Sequence, residues 1–227
     1  MTAWAILAAA GEGSRLGGGP KAFVELAGAP MMAHSLVTLA KVTEIEGVAI
    51  SAPPGHEPAT REAAASAAPS LRVEVVAGGP SRQESVRLAL VAVPADVERI
   101  VVHDAARPLA AVTLFESALA ALGSADGAVV AIPLADTLKR ASGDRVSETV
   151  PRADLYRAQT PQAFRAGALR AAHERAAREG FDATDDAALL EWMGDRVVLV
   201  PGDERNVKIT TPEDLALAEM LLGATRR

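Results

Sequence analysis

The chain has 227 residues, 49% of them apolar, enough for one large domain, or one domain with an excursion, around a substantial core. A formal net charge of −6 argues against a general nucleic-acid binder, which needs a basic face to release counterions from a polyanion. With no cysteine, a disulfide framework, a thiolate metal site and a thiol nucleophile are all excluded, and that absence fits a reducing cytoplasm.

Residues 3–10 form the first apolar run. No Lys or Arg precedes it, and Glu12 and Arg15 follow after a short stretch, so it reads as a core strand rather than a targeting segment. The run ends in a glycine-rich loop that closes at Pro20-Lys21. Gly11, Gly13 and Gly17 to Gly19 let the backbone turn and present its N–H groups to an anion, and Arg15 and Lys21 add full positive charge. It is not a Walker A loop, because Lys21 is followed by Ala22 rather than Ser or Thr. The dinucleotide fingerprint fails too, since Leu16 stands where its third glycine belongs. A phosphate-binding loop of another kind is expected; the plain alternative is a surface turn with incidental charges.

Strand patterns at 48–52, 72–77, 99–103, 128–132 and 196–200 alternate with helical patterns at 31–42, 58–67, 82–93, 112–122, 166–178 and 185–192. That alternation predicts a single α/β domain over 1–227 with a Rossmann-like, doubly wound, mostly parallel sheet. Ligands of such sheets bind at the carboxyl ends of the strands, so the glycine-rich loop, the His103-Asp104 corner and Ile132-Pro133 are expected to converge. No stretch approaches the roughly 18 consecutive apolar residues of a membrane span.

Three segments carry chemistry. Gly78-Gly79-Pro80-Ser81-Arg82 is a turn opening a helix whose N–H groups can hold an acceptor, flanked by Ser85 and Arg82. Ser81 followed by Glu84 is also an ordinary capping box. A hydrophobic strand delivers Asp104 to the sheet edge, where a carboxylate can hold Mg2+ between phosphates, with Arg107 within reach of an anionic substrate. The alternative is an Asp capping the following loop. His103 has no second ligand at suitable spacing and reads as a packed or hydrogen-bonded imidazole. Residues 134–156 break the alternation: short extended pieces at 137–140 and 145–150 around Gly143-Asp144 predict a projecting β-hairpin arm. Two strands alone are marginal in water, so the arm is expected to pack against a second subunit. The β-branched Val146, Thr149 and Val150 argue against a disordered insertion.

The loop pattern Ala-Ala-Gly-x-Gly-x-Arg-Leu-Gly-x-x-x-Pro-Lys resembles the signature of nucleotidyltransferases. His103-Asp-Ala-Ala-Arg-Pro108, Asp136-Thr-Leu-Lys-Arg140, Arg152 with Gln159-Thr-Pro-Gln162, Ala183-Thr-Asp-Asp186 and Asn206-Val-Lys-Ile-Thr-Thr-Pro-Glu-Asp214 follow in order. Together they resemble the motifs of the 2-C-methyl-D-erythritol 4-phosphate cytidylyltransferases, over nearly the whole chain. The resemblance implies the nucleotide-diphospho-sugar transferase type of this fold, CTP and Mg2+ as co-reactants, and pyrophosphate as by-product. It also implies methylerythritol phosphate as acceptor and a cytoplasmic homodimer whose arm completes the neighbour's site. Lys21, Lys208 and Arg15 then become the catalytic cations. Ala9, Ala10, Gly11, Gly13, Gly78, Gly79, Ser85 and Asp104 surround the nucleotide, with Asp104 on the metal. Arg107, Thr137, Arg152, Thr160 and Thr184 hold the acceptor phosphate.

The chemistry fits that reading, because a phosphate monoester attacking the α-phosphorus of CTP is already an anion and needs no strong base. The work is electrostatic. The plainer readings are a solvated strand-end lysine for Lys208 and local capping for the three threonines. Leu16, Ala22 and Pro80 depart from the family pattern, and Pro80 removes a potential contact to the base. The competing functions are a ribitol-5-phosphate cytidylyltransferase and a non-catalytic nucleotide-binding regulatory module. Lys21, Asp104, Arg152 and Lys208 together disfavour the second, since binding alone needs no transition-state clamp. A sugar-1-phosphate nucleotidyltransferase lacks support because no second strand-end Asp is present.

Overall fold

A computed structural model describes residues 2–17 and 19–225; Gly18 of the glycine-rich loop lies outside the described residues. The elements in order are β1 (Ala3–Ala8), β2 (Glu25–Leu26), β3 (Ala29–Pro30), α1 (Met31–Leu39), β4 (Ile45–Ala52) and α2 (Glu57–Ala67). Next come β5 (Arg72–Ala77), α3 (Arg82–Ala92), β6 (Arg99–Asp104), α4 (Val112–Ala121), β7 (Gly127–Pro133), β8 (Leu138–Ser142) and β9 (Arg145–Val150). The chain ends with β10 (Tyr156–Arg165), α5 (Ala166–Glu179), α6 (Asp186–Met193), β11 (Val197–Pro201) and α7 (Pro212–Thr225).

Seven strands form one sheet in the order β11-β7-β10-β6-β1-β4-β5. All neighbours pair in parallel except β10, which runs antiparallel to both β6 and β7. The mostly parallel, doubly wound architecture is therefore as the alternation predicts. Its central strands are legible because both faces are covered, which makes them continuous apolar runs. On one face Ala5 and Leu7 of β1 pack with Leu36, Leu39 and Phe115 from α1 and α4. On the other, Trp4 and Ile6 pack with Val86, Leu90, Leu169 and Leu190 from α3, α5 and α6.

Local chemistry sets the helix starts that matter for function. Ser81 Oγ accepts the Glu84 N–H at 3.1 Å, the expected cap of α3. Asp185 caps α6 by accepting the Ala188 N–H at 3.0 Å, so that helix begins at Asp186, one residue later than its sequence pattern.

The strand β10 has no counterpart among the predicted elements. Gln159, Thr160, Pro161 and Gln162 interrupt its apolar pattern, and proline argues against a central strand. The register breaks between Ala158 and Gln162, which accommodates the proline. The polar side chains are buried because each finds a partner, as described below. Two shorter features were also missing from the sequence reading: the β2–β3 hairpin, and the full length of α7 beyond its expected start at Thr211-Pro212.

The predicted arm is a separate antiparallel hairpin of β8 and β9 that turns at Gly143, where φ is +63°. Every residue of β8 is exposed, including Leu138, and Val146 on β9 is 63% exposed. Arg140–Glu148 at 2.6 Å, Lys139–Thr149 at 2.7 Å and Ser147 to the Arg140 carbonyl at 3.0 Å tie its side chains across the strands.

Candidate active site

The carboxyl ends of β1, β4, β5 and β6 surround a cleft of about 1020 Å³, lined by the loop 8–12, Gly19 to Ala22, the turn 78–82, Ser85, Asp104 and Lys208. The glycine-rich loop and the His103-Asp104 corner thus converge as expected. The third corner does not. The insertion of β10 between β6 and β7 carries Pro133 away, and it lines a separate shallow depression with Arg152 and Tyr156.

The loop closes on itself, with Lys21 N–H donating to the Gly11 carbonyl at 3.0 Å and Leu16 N–H to Gly13 at 2.8 Å. Lys21 sits on a single 3-10 turn (Lys21–Phe23) after Pro20. Burial pushes its ammonium below the ordinary lysine range, and the positive charges of Lys208 and Arg15 push the same way, against the pull of Asp104. Cations crowded together in one cleft favour a polyanion there. Arg15 is exposed at the loop's outer edge.

On the facing wall, Gly78 lies against Ala10 so closely that a Cβ there would stand 2.2 Å from the Ala10 Cβ. Only glycine lets these two loops meet. Ser85 is buried, accepts the Gly79 N–H at 3.1 Å and donates to the Ser81 carbonyl at 2.8 Å. Its hydroxyl builds the turn.

Asp104 is the centre of the charged network. Oδ1 accepts from Arg82 Nε at 2.9 Å and Oδ2 from Lys208 Nζ at 2.8 Å. Burial works to raise its pKa, but the charges of Arg82 and Lys208 win and hold the carboxyl well below the usual carboxylate range. Arg82 also donates through Nη1 to Asp186 at 2.8 Å. Although burial disfavours its charge, Asp186 and Asp104 together raise its pKa further. Among the described residues, no three His, Asp or Glu side chains cluster as a metal cage. Both carboxylate oxygens of Asp104 face cations, so a divalent ion at this corner would share the carboxylate with Arg82 and Lys208.

His103 and Thr160 shape the turn beneath Asp104. The Asp104 N–H donates to Thr160 Oγ1 at 3.0 Å, and that hydroxyl lies 2.9 Å from His103 Nδ1. His103 Nε2 meets the Arg107 carbonyl at 3.2 Å. A carbonyl only accepts, so Nε2 carries the proton, Nδ1 accepts from Thr160, and the imidazole is neutral. Burial is the main reason its pKa is pushed down to about 4. His103 is thus a packed, hydrogen-bonded imidazole, as expected. Thr160, expected at the acceptor phosphate, is buried and has its hydroxyl committed to this brace.

Arg107 donates to the carbonyls of Asn206 at 2.7 Å and Ala158 at 3.3 Å. Buried Asn206 in turn donates to Gln159 Oε1 at 3.1 Å and the Thr160 carbonyl at 2.9 Å, fixing the segment that presents Lys208 two residues on. Thr137, Arg152 and Thr184 are exposed; Thr137 and Arg152 lie at the base of the arm and Thr184 lies just before α6. They do not line the central cleft. Sequence reasoning missed Asp186, His173, Gln162 and Asn206 as parts of this network. The available signal was polar residues inside otherwise apolar segments.

The sequence model of the 2-C-methyl-D-erythritol 4-phosphate cytidylyltransferases matches residues 3–224. The chain belongs to this family. A 2-C-methyl-D-erythritol 4-phosphate cytidylyltransferase of Deinococcus radiodurans is 46% identical over 220 residues, covering 96% of this chain and 89% of the relative. One from Salinibacter ruber is 42% identical over 216 residues, covering 95% and 91%. Among solved structures, the cytidylyltransferase of Thermus thermophilus superposes with a TM-score of 0.81 at 35% identity, covering 97% of this chain and 98% of that one. The 4-diphosphocytidyl-2C-methyl-D-erythritol synthase of Anaerococcus prevotii does so with a TM-score of 0.86 at 29% identity, covering 98% of each. The cytidylyltransferase family thus spans the sheet, the cleft and the arm of this chain.

The His103 brace has a measurable consequence. In the unfolded chain the imidazole takes up a proton near pH 6.5, whereas in the fold it stays neutral down to about 4. The unfolded state binds more protons between those values, so stability is full above pH 6.5 and falls as the pH drops. The loss is about 2 kcal/mol between pH 7 and pH 5. Denaturant unfolding at both pH values should show that drop in the wild type and not in His103→Gln; equal drops in the two proteins would remove His103 as its source.

Proposed function

We propose that this chain transfers the cytidylyl group of CTP to 2-C-methyl-D-erythritol 4-phosphate. The products are 4-diphosphocytidyl-2-C-methyl-D-erythritol and pyrophosphate, a step of non-mevalonate isoprenoid precursor biosynthesis. The observation that carries this reading is the convergence of Lys21, Lys208 and Arg82 with the glycine-rich loop on one cleft, in a chain that matches the family from residue 3 to 224. A phosphate oxygen of the acceptor attacks the α-phosphorus of CTP, the bond from that phosphorus to the bridging oxygen of the β-phosphate breaks, and pyrophosphate departs. No proton has to be removed from the nucleophile, so no general base is required.

The residues divide the electrostatic work. The N–H groups of Ala10, Gly11 and Gly13 and the ammonium of Lys21 receive the triphosphate, with Ala9 at the strand end beside them and Arg15 beside the leaving pyrophosphate. Lys208 leaves Asp104 for the oxygens of the reacting α-phosphate, where charge develops, and acts mainly in the transition state. Cytosine sits in the wall formed by Gly78 and Gly79, with Ser85 holding their turn. Arg107, Arg152, Thr137 and Thr184 bind the acceptor, and Thr160 supports that site from behind. Asp104, on the oxygen that Lys208 releases, would hold the Mg2+ that accompanies the triphosphate, and the ion would supply charge neutralisation there; the steps above rest on the chain's own cations.

The exposed hairpin supports a homodimer in which Arg152 and Thr137 of one subunit serve the acceptor site of the other. No helix among the described residues is long and apolar enough to cross a membrane. The small phosphorylated substrates and the absence of cysteine support a cytoplasmic location.

Pyrophosphate release with CTP and Mg2+ tests the reading, with methylerythritol phosphate and ribitol 5-phosphate offered in parallel and ATP, GTP and UTP as controls. Turnover is expected with CTP and methylerythritol phosphate. Preference for ribitol phosphate would move the chain to the other acceptor, and silence with both would overturn the reading.

Arg152→Ala should raise KM for the acceptor by about 10-fold or more and leave KM for CTP nearly unchanged, because it removes a charged contact to one substrate only. Mixed with Lys21→Ala subunits, it should regain activity, since one hybrid site then holds both residues. A rise in KM for CTP, or no recovery on mixing, would contradict this placement.

A further inference from the structure

The transfer reaction uses the side of Asp104 that faces the cleft. Its other side is tied, through Arg82, to a carboxylate that never reaches the cleft. Arg82 Nε meets Asp104 at 2.9 Å and Nη1 meets Asp186 at 2.8 Å, while the second oxygen of Asp186 lies 3.1 Å from Nε2 of His173. Asp186 and His173 are each 1% exposed. The result is an unbroken line of charged and polar groups from Lys208 through Asp104 and Arg82 to Asp186 and His173. Packing alone does not call for it, since apolar residues of similar volume are commonly as stable as buried ion pairs.

The far end of the line is firmly mounted. Asp186 opens α6 directly after its cap, Asp185, whose carboxylate also accepts from Gln162 Nε2 at 2.7 Å. Gln162 Oε1 accepts the Ala187 N–H at 3.2 Å. Gln162 belongs to β10 and stands opposite Val102 on β6, two residues before Asp104. Both carboxylates are therefore fixed to the same pair of strands, and the guanidinium spans the gap between them. Gln83 adds a second tie beside it, donating to the Phe181 carbonyl at 3.0 Å and accepting the Ala183 N–H at 2.8 Å.

We infer that Asp186 is a positioning residue of the transfer reaction: through Arg82 it fixes the Asp104 carboxylate and so the place from which Lys208 engages the phosphates. With Asp186 neutral, the guanidinium is free to close fully on Asp104 and draw it away from Lys208. Lys208 then loses its alignment, and misalignment of about 1 Å can cost roughly 100-fold in rate. The inference rests on the cytidylyl-transfer reading and extends it to a residue outside the cleft.

The test is Asp186→Asn, which keeps the shape and removes the charge, assayed in steady state and by single turnover with radiolabelled CTP and enzyme in excess. kcat is expected to fall about 10- to 100-fold with KM for CTP within about threefold of wild type, the split of a lost alignment rather than lost binding. The same substitution in a Lys208→Ala background should change the single-turnover rate less than about twofold, because nothing remains to be aligned. An equal fold-loss in both backgrounds would mark a general structural effect and overturn the inference, as would a folded Asp186→Asn with wild-type kcat. Should Asp186→Asn fail to fold, Arg82→Lys carries the same cycle, since a lysine has one ammonium where two carboxylates need a fork. A wild-type enzyme inert with CTP and methylerythritol phosphate would instead defeat the underlying reading, an outcome visible before any variant is made.

Discussion

The Asp104 carboxylate, held between Arg82 and Lys208, is the interaction on which the rest of the site depends. A single negative charge at the end of β6 allows two cations to stand close together beside a cluster that includes Lys21. Without it the repulsion between them would be unscreened at this corner, leaving Arg82 to Asp186 alone and Lys208 without this ion pair. The same carboxylate holds the Lys208 ammonium at 2.8 Å.

Everything beneath Asp104 serves to keep that carboxylate still. The neutral His103, Thr160 and the Asp104 N–H form one directional chain of hydrogen bonds under the turn. Asn206 and Gln159 hold the segment that returns with Lys208. These groups sit on β10 and on the loop before α7, far from Asp104 in sequence. The antiparallel strand β10 is what brings them there: it lies directly beside β6 and carries Gln159, Thr160 and Gln162 to the two sides of the Asp104 corner. Its placement also separates the central cleft from the arm.

The sheet was readable in the sequence because strands covered on both faces, such as β1 and β6, are written as unbroken apolar runs and the helices between them keep a separate period. The glycine-rich loop was readable for a local reason as well, since Gly13 at positive φ and Gly78 pressed against Ala10 admit few substitutes. By contrast, β10 was hidden by Pro161 and three polar residues, whose burial makes sense only once their partners are known. The link from Arg82 to Asp186 spans 104 positions and leaves no periodic trace. Asp104 was legible as a strand-end carboxylate, but the two cations it faces were not, since only the fold brings Arg82 and Lys208 to it. Thr160 was legible through its family motif, and its buried orientation was not.

The central claim is that catalysis here is charge stabilisation in the transition state by a cation that Asp104 holds in readiness. The most direct measurement is the single-turnover rate and CTP affinity of Lys208→Ala. Loss of one such preorganised donor should lower the rate by about 100- to 1000-fold and leave CTP binding within a few-fold of wild type. A near-normal rate, or a loss seen entirely in CTP affinity, would contradict the account.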